Sequence, residues 1–538
     1  MASRRAATIE KIFSESPDTK SDLELPEISV CLVTHNSRNW IKGWFKALSQ
    51  CGYPHDKLSL SIVDNASTDD TLEEIERCLG EFDYFKVLQL RKSEDNIGYG
   101  RGQNLAISSA RSEIILVINP DAYLMPGSLR KAVEFSLSDE KDICAWEFSQ
   151  LPYEHPKYYD PVTLETSWNS HACVLFKRSA FIQVGGYDKS LFMYGEDVDL
   201  SYKLRLAGFR LRYLPKSKVL HDTLSGHGKR PEQSMRIIAA NLGLRRRYGK
   251  LSDRLAGYVM VLRAKCSRRE EVRATYNQAW KTYKRYVLEF RPINRGKIFF
   301  PFNGFGFDRR RPSMQFNIPT NKDDNPKISV VTRVHKKTHL LGEALVSVKN
   351  QTYSNIEHII VFDKCNPYFV SSQKFVGADY ETRSQAANAG AAIATGQYLL
   401  FLDYDDVLFS DHLEGLHYAL WSSQSAVCAY AFSWEAMTDK RCRGGDKNLI
   451  LQNGMELTYS RGELRKRNCF AIQSLLIKKS VFEKVGGFDA KLDTLEDWDL
   501  WARLSNEGAF TPYPKVSSIF YTPARLSTRF KRLLDLMF

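Results

Sequence analysis

Short apolar runs alternate with amphipathic stretches along this chain, and the alternation occurs twice. Ile28-Ser29-Val30-Cys31-Leu32-Val33-Thr34 is an apolar run ending in Thr-His-Asn, the pattern of a buried strand that meets a polar loop. Helical spacing follows from Trp40 to Leu48. A second strand, Leu60-Ser61-Ile62-Val63-Asp64, then runs into Asn65-Ala66-Ser67-Thr68-Asp69. A helix carried by Leu72, Ile75 and Leu79 comes next, and then a strand from Phe85 to Leu90. This order predicts an α/β unit whose parallel sheet is covered on both faces. Ligands of such sheets sit at the carboxyl ends of the strands, where Thr34 and Asp64 stand.

The polar joints carry the candidate chemistry. Asn96-Ile97-Gly98-Tyr99-Gly100-Arg101-Gly102-Gln103-Asn104 leads into helical spacing from Leu105 to Ala110. Alternating glycines before a helix suit close approach to a phosphate, and a plain turn explains them equally well. The strand Ile114 to Ile118 ends in Asn119-Pro120-Asp121. A lone Asp at a strand end is more often a cap than a metal ligand. Here, however, the later strand Leu399-Leu400-Phe401-Leu402 ends in Asp403-Tyr404-Asp405-Asp406, and three crowded carboxylates call for a cation or solvent. His221 closes an apolar Val219-Leu220 run, where a satisfied buried histidine is the simpler account.

The most distinctive stretch is also repeated. Gly185-Gly186-Tyr187-Asp188 precedes Glu196-Asp197-Val198-Asp199-Leu200, and Gly486-Gly487-Phe488-Asp489 precedes Glu496-Asp497-Trp498-Asp499-Leu500. One carboxylate is enough to cap a helix. A Glu-Asp pair with a further Asp raises the pKa of its members and suits a general base near neutral pH. Thr332, Asp363, Asn388, Asp405 and Asp497 recur in the order of Thr34, Asp64, Asn104, Asp121 and Asp197, which predicts a tandem duplication.

Length and charge complete the outline. The 538 residues, 43% hydrophobic and 26% charged, suit several globular domains. We expect a loose arm over residues 1–25, a first domain over 26–230 and a basic helical connector with linker over 231–325. A second domain over 326–524 and an amphipathic tail over 525–538 follow. The connector's charge is expected to be mostly solvated, with membrane or polyanion contact the lesser reading, whereas the basic stretch 434–468 suits an acidic substrate and a solvated loop equally well. A net charge of +13 points to an anionic partner. Ten scattered cysteines without a C-x-x-C argue against zinc and a disulfide framework, and fit reduced thiols. The basic start lacks an apolar h-region, so neither a signal peptide nor a Tat signal is expected. No run reaches the roughly 18 apolar residues of a membrane span.

At these residues both halves resemble the family 2 inverting glycosyltransferases of the GT-A fold, a Rossmann-like nucleotide-diphospho-sugar transferase unit. Val33-Thr34-His35-Asn36, Val63-Asp64-Asn65-Ala66-Ser67, Asn119-Pro120-Asp121 and Tyr194-Gly195-Glu196-Asp197 resemble the rhamnosyl- and galactofuranosyltransferase-like branch. Gln351-Thr352-Tyr353, Ala394-Thr395-Gly396 and Glu496-Asp497-Trp498-Asp499-Leu500-Trp501 resemble the more general branch. The resemblance implies that Thr34, Asp64, Asn96, Gly98 and Asn104 bind the donor, with Thr332, Asp363, Asn388 and Asp403 doing so in the second half. Asp121, His221 and Asp405 would hold a divalent cation, Mn²⁺ or Mg²⁺. Asp197 and Asp497 would be catalytic bases, supported by Glu196, Asp199, Glu496, Trp498 and Asp499. The second half departs from the pattern. Lys364-Cys365-Asn366 follows Asp363, Ala387 replaces an arginine before Asn388, and no histidine follows the last acids.

The expectation is a bifunctional transferase that builds a bacterial-type surface polysaccharide or O-antigen. Its partners would be UDP- or dTDP-sugars, a lipid-linked glycan acceptor and an anionic membrane surface, with no nucleic acid. It would sit in the cytoplasm, peripheral on the inner face of the cell membrane. The alternatives are a single activity with one degenerate acceptor-binding domain, or a non-catalytic nucleotide- or glycan-binding protein.

Overall fold

A computed structural model of the chain describes residues 24–152, 154, 157–222, 231–294, 296, 298–302, 325–336, 338, 340–367, 374–423, 425–438 and 461–523. The expected amphipathic tail, nearly all of the N-terminal arm and most of the basic stretch 434–468 lie outside them. The first unit holds β1 (Ile28–Thr34), β2 (Leu58–Asp64), β3 (Lys86–Lys92), β4 (Ile114–Ile118), β5 (Ala122–Leu124), β6 (Ile143–Leu151), β7 (Glu165–Thr166), β8 (Cys173–Lys177) and β9 (Arg210–His221). Their order in the sheet is β3-β2-β1-β4-β8-β6-β9-β5, with β7 on β9. The second unit holds β10 (Ile328–Val334), β11 (Ile356–Asp363), β12 (Lys374–Ala378), β13 (Tyr398–Asp403), β14 (Val407–Leu408), β15 (Ala426–Thr438), β16 (Leu475–Lys478) and β17 (Ala509–Pro523). Their order, β12-β11-β10-β13-β16-β15-β17-β14, repeats the first.

The central strands form because their side chains are covered on both faces. β1, β2 and β10 are buried at every position, so their near-continuous apolar runs lose water on both sides. β4 pairs parallel with β1 but antiparallel with β8, so the sheets are mixed rather than parallel throughout. The strand ends of β1, β2 and β4 therefore open onto one edge. The start of the Glu196–Leu206 helix is brought to that edge by the Gly-Gly turn.

The connector is not a mainly solvated linker. Its helices, Pro231–Tyr248, Leu251–Lys265 and Glu270–Tyr286, share an apolar cluster around Ala239, Leu242, Val261, Ala279 and Tyr283. Arg247 donates to Asp188 Oδ2 and Asp199 Oδ1, both at 2.6 Å, and Tyr248 donates to Asp199 Oδ1 at 2.7 Å. Arg245 donates to Asn241 Oδ1 and to the Asp253 carbonyl. The spacing of Arg245-Arg246-Arg247 shows only charge, whereas the docking depends on carboxylates that come together in the fold.

The two units also touch. Tyr159, Val162, Leu164 and Tyr213 pack with Val346, Val407, Phe409, Trp434, Ala436 and Ile519 in one apolar cluster. The Tyr159 hydroxyl lies 2.6 Å from Ser410 Oγ, and Asn350 Nδ2 donates to the Pro161 carbonyl. The nine described cysteines are free. No helix among the described residues is long and apolar enough to cross a membrane.

Candidate active sites

At the first sheet edge, Asp64 is fully buried and serves the turn that follows it. It accepts from Thr34 Oγ1 at 3.0 Å, from Ser67 Oγ at 2.5 Å and from the Ser67 N–H at 3.1 Å. Asn65, which sequence reading passed over, bonds Asn96 Oδ1 through its amide nitrogen and accepts from the Ile97 N–H. Asn96 Oδ1 also accepts from the Gly98 N–H. A Cβ on Gly98 would fall 2.3 Å from the Phe192 carbonyl oxygen, so only glycine lets this loop lie against the segment that leads to Glu196. Thr34, Asp64, Asn96 and Gly98 are thus brought together as one rigid rim.

Asn104 and Asn388 have a different place. Asn104 Nδ2 donates to the Tyr187 carbonyl and its Oδ1 accepts from the Tyr187 N–H; Asn388 does the same with Phe488. Both amides are spent on the Gly-Gly-aromatic turn, so the expected donor-binding role gives way to a positioning one. A Cβ on Gly186 would lie 2.6 Å from Asn104 Oδ1, and one on Gly487 would lie 2.7 Å from Asn388 Oδ1. The repeated glycine and the repeated asparagine require each other.

Each turn delivers an acid pair to a helix start. Asp197 Oδ1 accepts from the Val198 N–H and Asp497 Oδ1 from the Trp498 N–H, each at 2.8 Å. Burial raises Asp197 above the usual carboxylate range, and burial together with Asp197 raises Glu196 further. Burial, with Glu496 adding to it, pushes Asp497 up to about 6. The third acids are structural. Asp199 is buried under Arg247 and Tyr248, while Asp499 takes two bonds from Arg503, which also holds the Val485 and Gly487 carbonyls. The Trp498 indole donates to the Leu464 carbonyl. The buried Lys157–Glu147 ion pair, whose ammonium favours the charged form of Asp197, gave no sequence signal.

The first unit fits the cation that the resemblance implies. Antiparallel pairing sets Ala122 opposite His221, which brings His221 Nε2 to 3.4 Å from Asp121 Oδ1. The other ring nitrogen lies 2.8 Å from Gln150 Oε1. In the tautomer with its proton on that side, Nε2 offers a lone pair beside the Asp121 carboxylate, a donor pair that a cation would join. Hard divalent ions accept so few protein ligands when phosphate oxygens complete the shell. Among the described residues no group of three or more His, Cys, Asp or Glu is arranged to hold a metal.

The second edge differs, and register shows how. Ile28 and Ile328 start equivalent strands. Thr34 therefore corresponds to Val334 and Asp64, its partner on β2, to Phe362. Ala66 and Lys364, both at positive φ (57° and 52°), confirm the alignment. Thr332 is not at a strand end. It lies inside β10, short of the strand's end at Val334, and 2.8 Å from His358 Nε2. Asp363 occupies the place of Asn65, where it accepts from the Tyr380 N–H. Asp405 keeps the register of Asp121, but the strand facing it carries Phe520 where β9 has His221. Asp403 is held by Arg333 at 2.7 Å and by Arg383 at 3.0 Å, and Arg333 reaches Glu496 Oε1 at 2.9 Å. Burial alone would raise Asp403, but the two guanidiniums outweigh it and hold that carboxyl below its usual range. Burial and Asp403 raise Asp405, and Asp406 is raised well above its ordinary value. The donor set of the first unit's cation site is thus not reproduced.

Two family models match the chain. One, described as glycosyl transferase family 2, covers residues 29–194, and another, glycosyltransferase like family 2, covers residues 328–534. An N-acetylglucosaminyl-diphospho-decaprenol L-rhamnosyltransferase of Mycobacterium tuberculosis is 26% identical over 220 residues, 32% of this chain and 69% of that protein. The O-antigen biosynthesis glycosyltransferase WbnJ of Escherichia coli is 27% identical over 199 residues, 34% of this chain and 72% of that protein. A solved mannosyltransferase, PcManGT of Pyrobaculum calidifontis with GDP-Man and Mn²⁺, is 17% identical; the match covers 54% of this chain and 93% of that one, with a TM-score of 0.36. The matched segments together span more than half of the sequence, one in each half; each carries its own strand-end acids, and a Glu-Asp helix start lies just beyond the first, at Glu196-Asp197, and within the second, at Glu496-Asp497: the chain is an enzyme of the family 2 glycosyltransferases, with the family's α/β unit present twice in tandem.

Proposed function

We propose that both units transfer sugars, each from a nucleoside-diphosphate donor, to a growing surface polysaccharide or O-antigen on a lipid-linked acceptor. The observation that carries this reading is the pair Asp197 and Asp497. Each opens a helix at its sheet edge, each holds the next N–H with one oxygen, and each is raised by burial towards neutral pH. In each transfer the acceptor hydroxyl oxygen bonds to the anomeric carbon from the face opposite the leaving group. The carbon–oxygen bond to the diphosphate breaks with its electron pair, and the acceptor proton passes to the Asp carboxylate. In the first unit, the rim of Thr34, Asp64, Asn96 and Gly98 frames the nucleoside. Asp121 and His221 would hold a divalent cation, which supplies neutralising charge to the leaving diphosphate. In the second, Asp363 and Asp403 serve the donor.

Relatives named for a decaprenol-linked acceptor and for O-antigen synthesis support the lipid-linked acceptor. A place at an anionic membrane surface is supported by the Leu251–Lys265 helix. Leu251, Leu255, Val259 and Leu262 are all exposed along one stripe of it, and Arg263 and Lys265 flank them. With separate acceptors for each step, Asp197→Asn removes one addition and Asp497→Asn the other, each by ~10²–10⁴-fold in rate. Loss of both additions in either variant would refute two independent sites.

A further inference from the structure

The second sheet edge gathers Asp403, Asp405, Asp406, Glu496 and Asp497 around the place where a donor diphosphate must enter, if the reading above holds. A diphosphate brought there unaided meets only negative charge. The first unit answers with Asp121 and His221 around a cation; the second has Phe520 at the histidine's place and two arginines on its first acid. The arginines are not equivalent. The Arg333 side chain is 7% exposed and is spent on two carboxylates, Asp403 and Glu496. The Arg383 side chain is 47% exposed; it donates to Asp403 Oδ2 at 3.0 Å and stands only in a loose pair with Glu496, 3.9 Å from Oε1. If Arg383 swings away, Asp403 keeps both bonds from Arg333, and Glu496 keeps its own bond from Arg333 Nη1. Arg383 is also fixed at its base. It is the first residue of its helix, its N–H donates to Asp493 Oδ1, and Thr382 before it caps the helix. Lys336, over the ring of Tyr404 and within electrostatic reach of Asp405, adds positive charge on the same side.

We infer that Arg383 is the diphosphate-binding cation of the second unit, released from Asp403 to grip the donor in a fork, so that this unit binds its nucleotide without a divalent ion. A guanidinium suits the task because its planar donors match phosphate oxygens two at a time. The inference rests on the donor-binding reading of the second unit and adds which side chain does the work.

The test is calorimetric titration of the full chain with UDP, dTDP and GDP, and with the matching monophosphates, in Mn²⁺ and then in excess chelator. One diphosphate per chain is expected to remain bound in chelator, with a second site returning when Mn²⁺ is present. Arg383→Gln is expected to weaken the chelator-resistant site at least tenfold for the diphosphate and little for the monophosphate, while Arg383→Lys recovers part of the loss. A half-exposed side chain is a mild site to change, and the Mn²⁺-dependent site serves as the internal check on folding. Equal diphosphate affinity in Arg383→Gln and the unaltered chain would overturn the inference. So would two Mn²⁺ ions per chain in manganese titrations with saturating diphosphate. A chain that binds none of the three diphosphates even with Mn²⁺ would instead overturn the donor reading itself.

Discussion

Asp497 and Asp197 differ in one contact that sets up a titration. Asp497 Oδ2 accepts from Asn468 Nδ2 at 2.8 Å, a bond that favours the charged form against burial and Glu496. A general base works deprotonated, so the second unit's rate should climb with pH through about 6 and level off above it. Replacing Asn468 by Ala removes a bond to the charged form, which should move that midpoint upward; a pH–rate profile that stays put would exclude the coupling. The asparagine–glycine lock is equally open to test. Asn104→Ala leaves the Tyr187 N–H and C=O without their partner, at a cost of about 1–3 kcal/mol in denaturant unfolding. Residue identity alone is what misled the reading of the second unit. Thr332 and Asp363 look like Thr34 and Asp64, but counting from Ile328 places Val334 and Phe362 there. A threonine facing a half-buried histidine between strands and a threonine at a strand end cannot be told apart by type.

Among the elements, the buried strands were the most legible, because an apolar run covered on both sides has few other places to go. The acid-bearing helices were legible for the same kind of reason: Leu200, Leu204, Leu500 and Leu504 mark the buried face and are all fully covered. The antiparallel strands β6, β8 and β9 were harder to see, since their pairing depends on contacts distant in sequence. The Leu251–Lys265 helix was read for its charge, but its exposed leucines say more. Between Lys250 and Arg269 six basic residues face a single acid, Asp253. If this stripe lies in an anionic bilayer surface, Leu255→Asp with Leu262→Asp should lower binding to vesicles containing phosphatidylglycerol, and leave secondary structure and activity on a soluble acceptor intact. Unchanged partition would move the membrane contact elsewhere on the chain.

For the whole molecule, duplication was legible from the order of motifs, and the joint between the copies was not. No local pattern announces that Tyr159 will meet Ser410 or that Lys218 will pair with Glu414 at 2.8 Å. Phe409 is almost wholly covered in the shared cluster, so Phe409→Ala should cost about 3–5 kcal/mol. Because the cluster draws on both sheets, the single calorimetric transition expected of the intact chain should split into two in this variant. A single shifted transition would mean that the units unfold together by some other route.

The same joint has a consequence for traffic. Phe409 and Ser410 follow directly on Asp405, Asp406 and β14, so the second unit is fastened to the first by the residues next to its own acids. Two workstations bolted to one frame cannot come to the workpiece. If both units add sugars to one lipid-linked glycan, as proposed, its free end has to let go of one and find the other between the two steps, and the slack of its lipid tether sets how often it succeeds. Lengthening that tether should therefore speed hand-over between the two steps without altering either step alone.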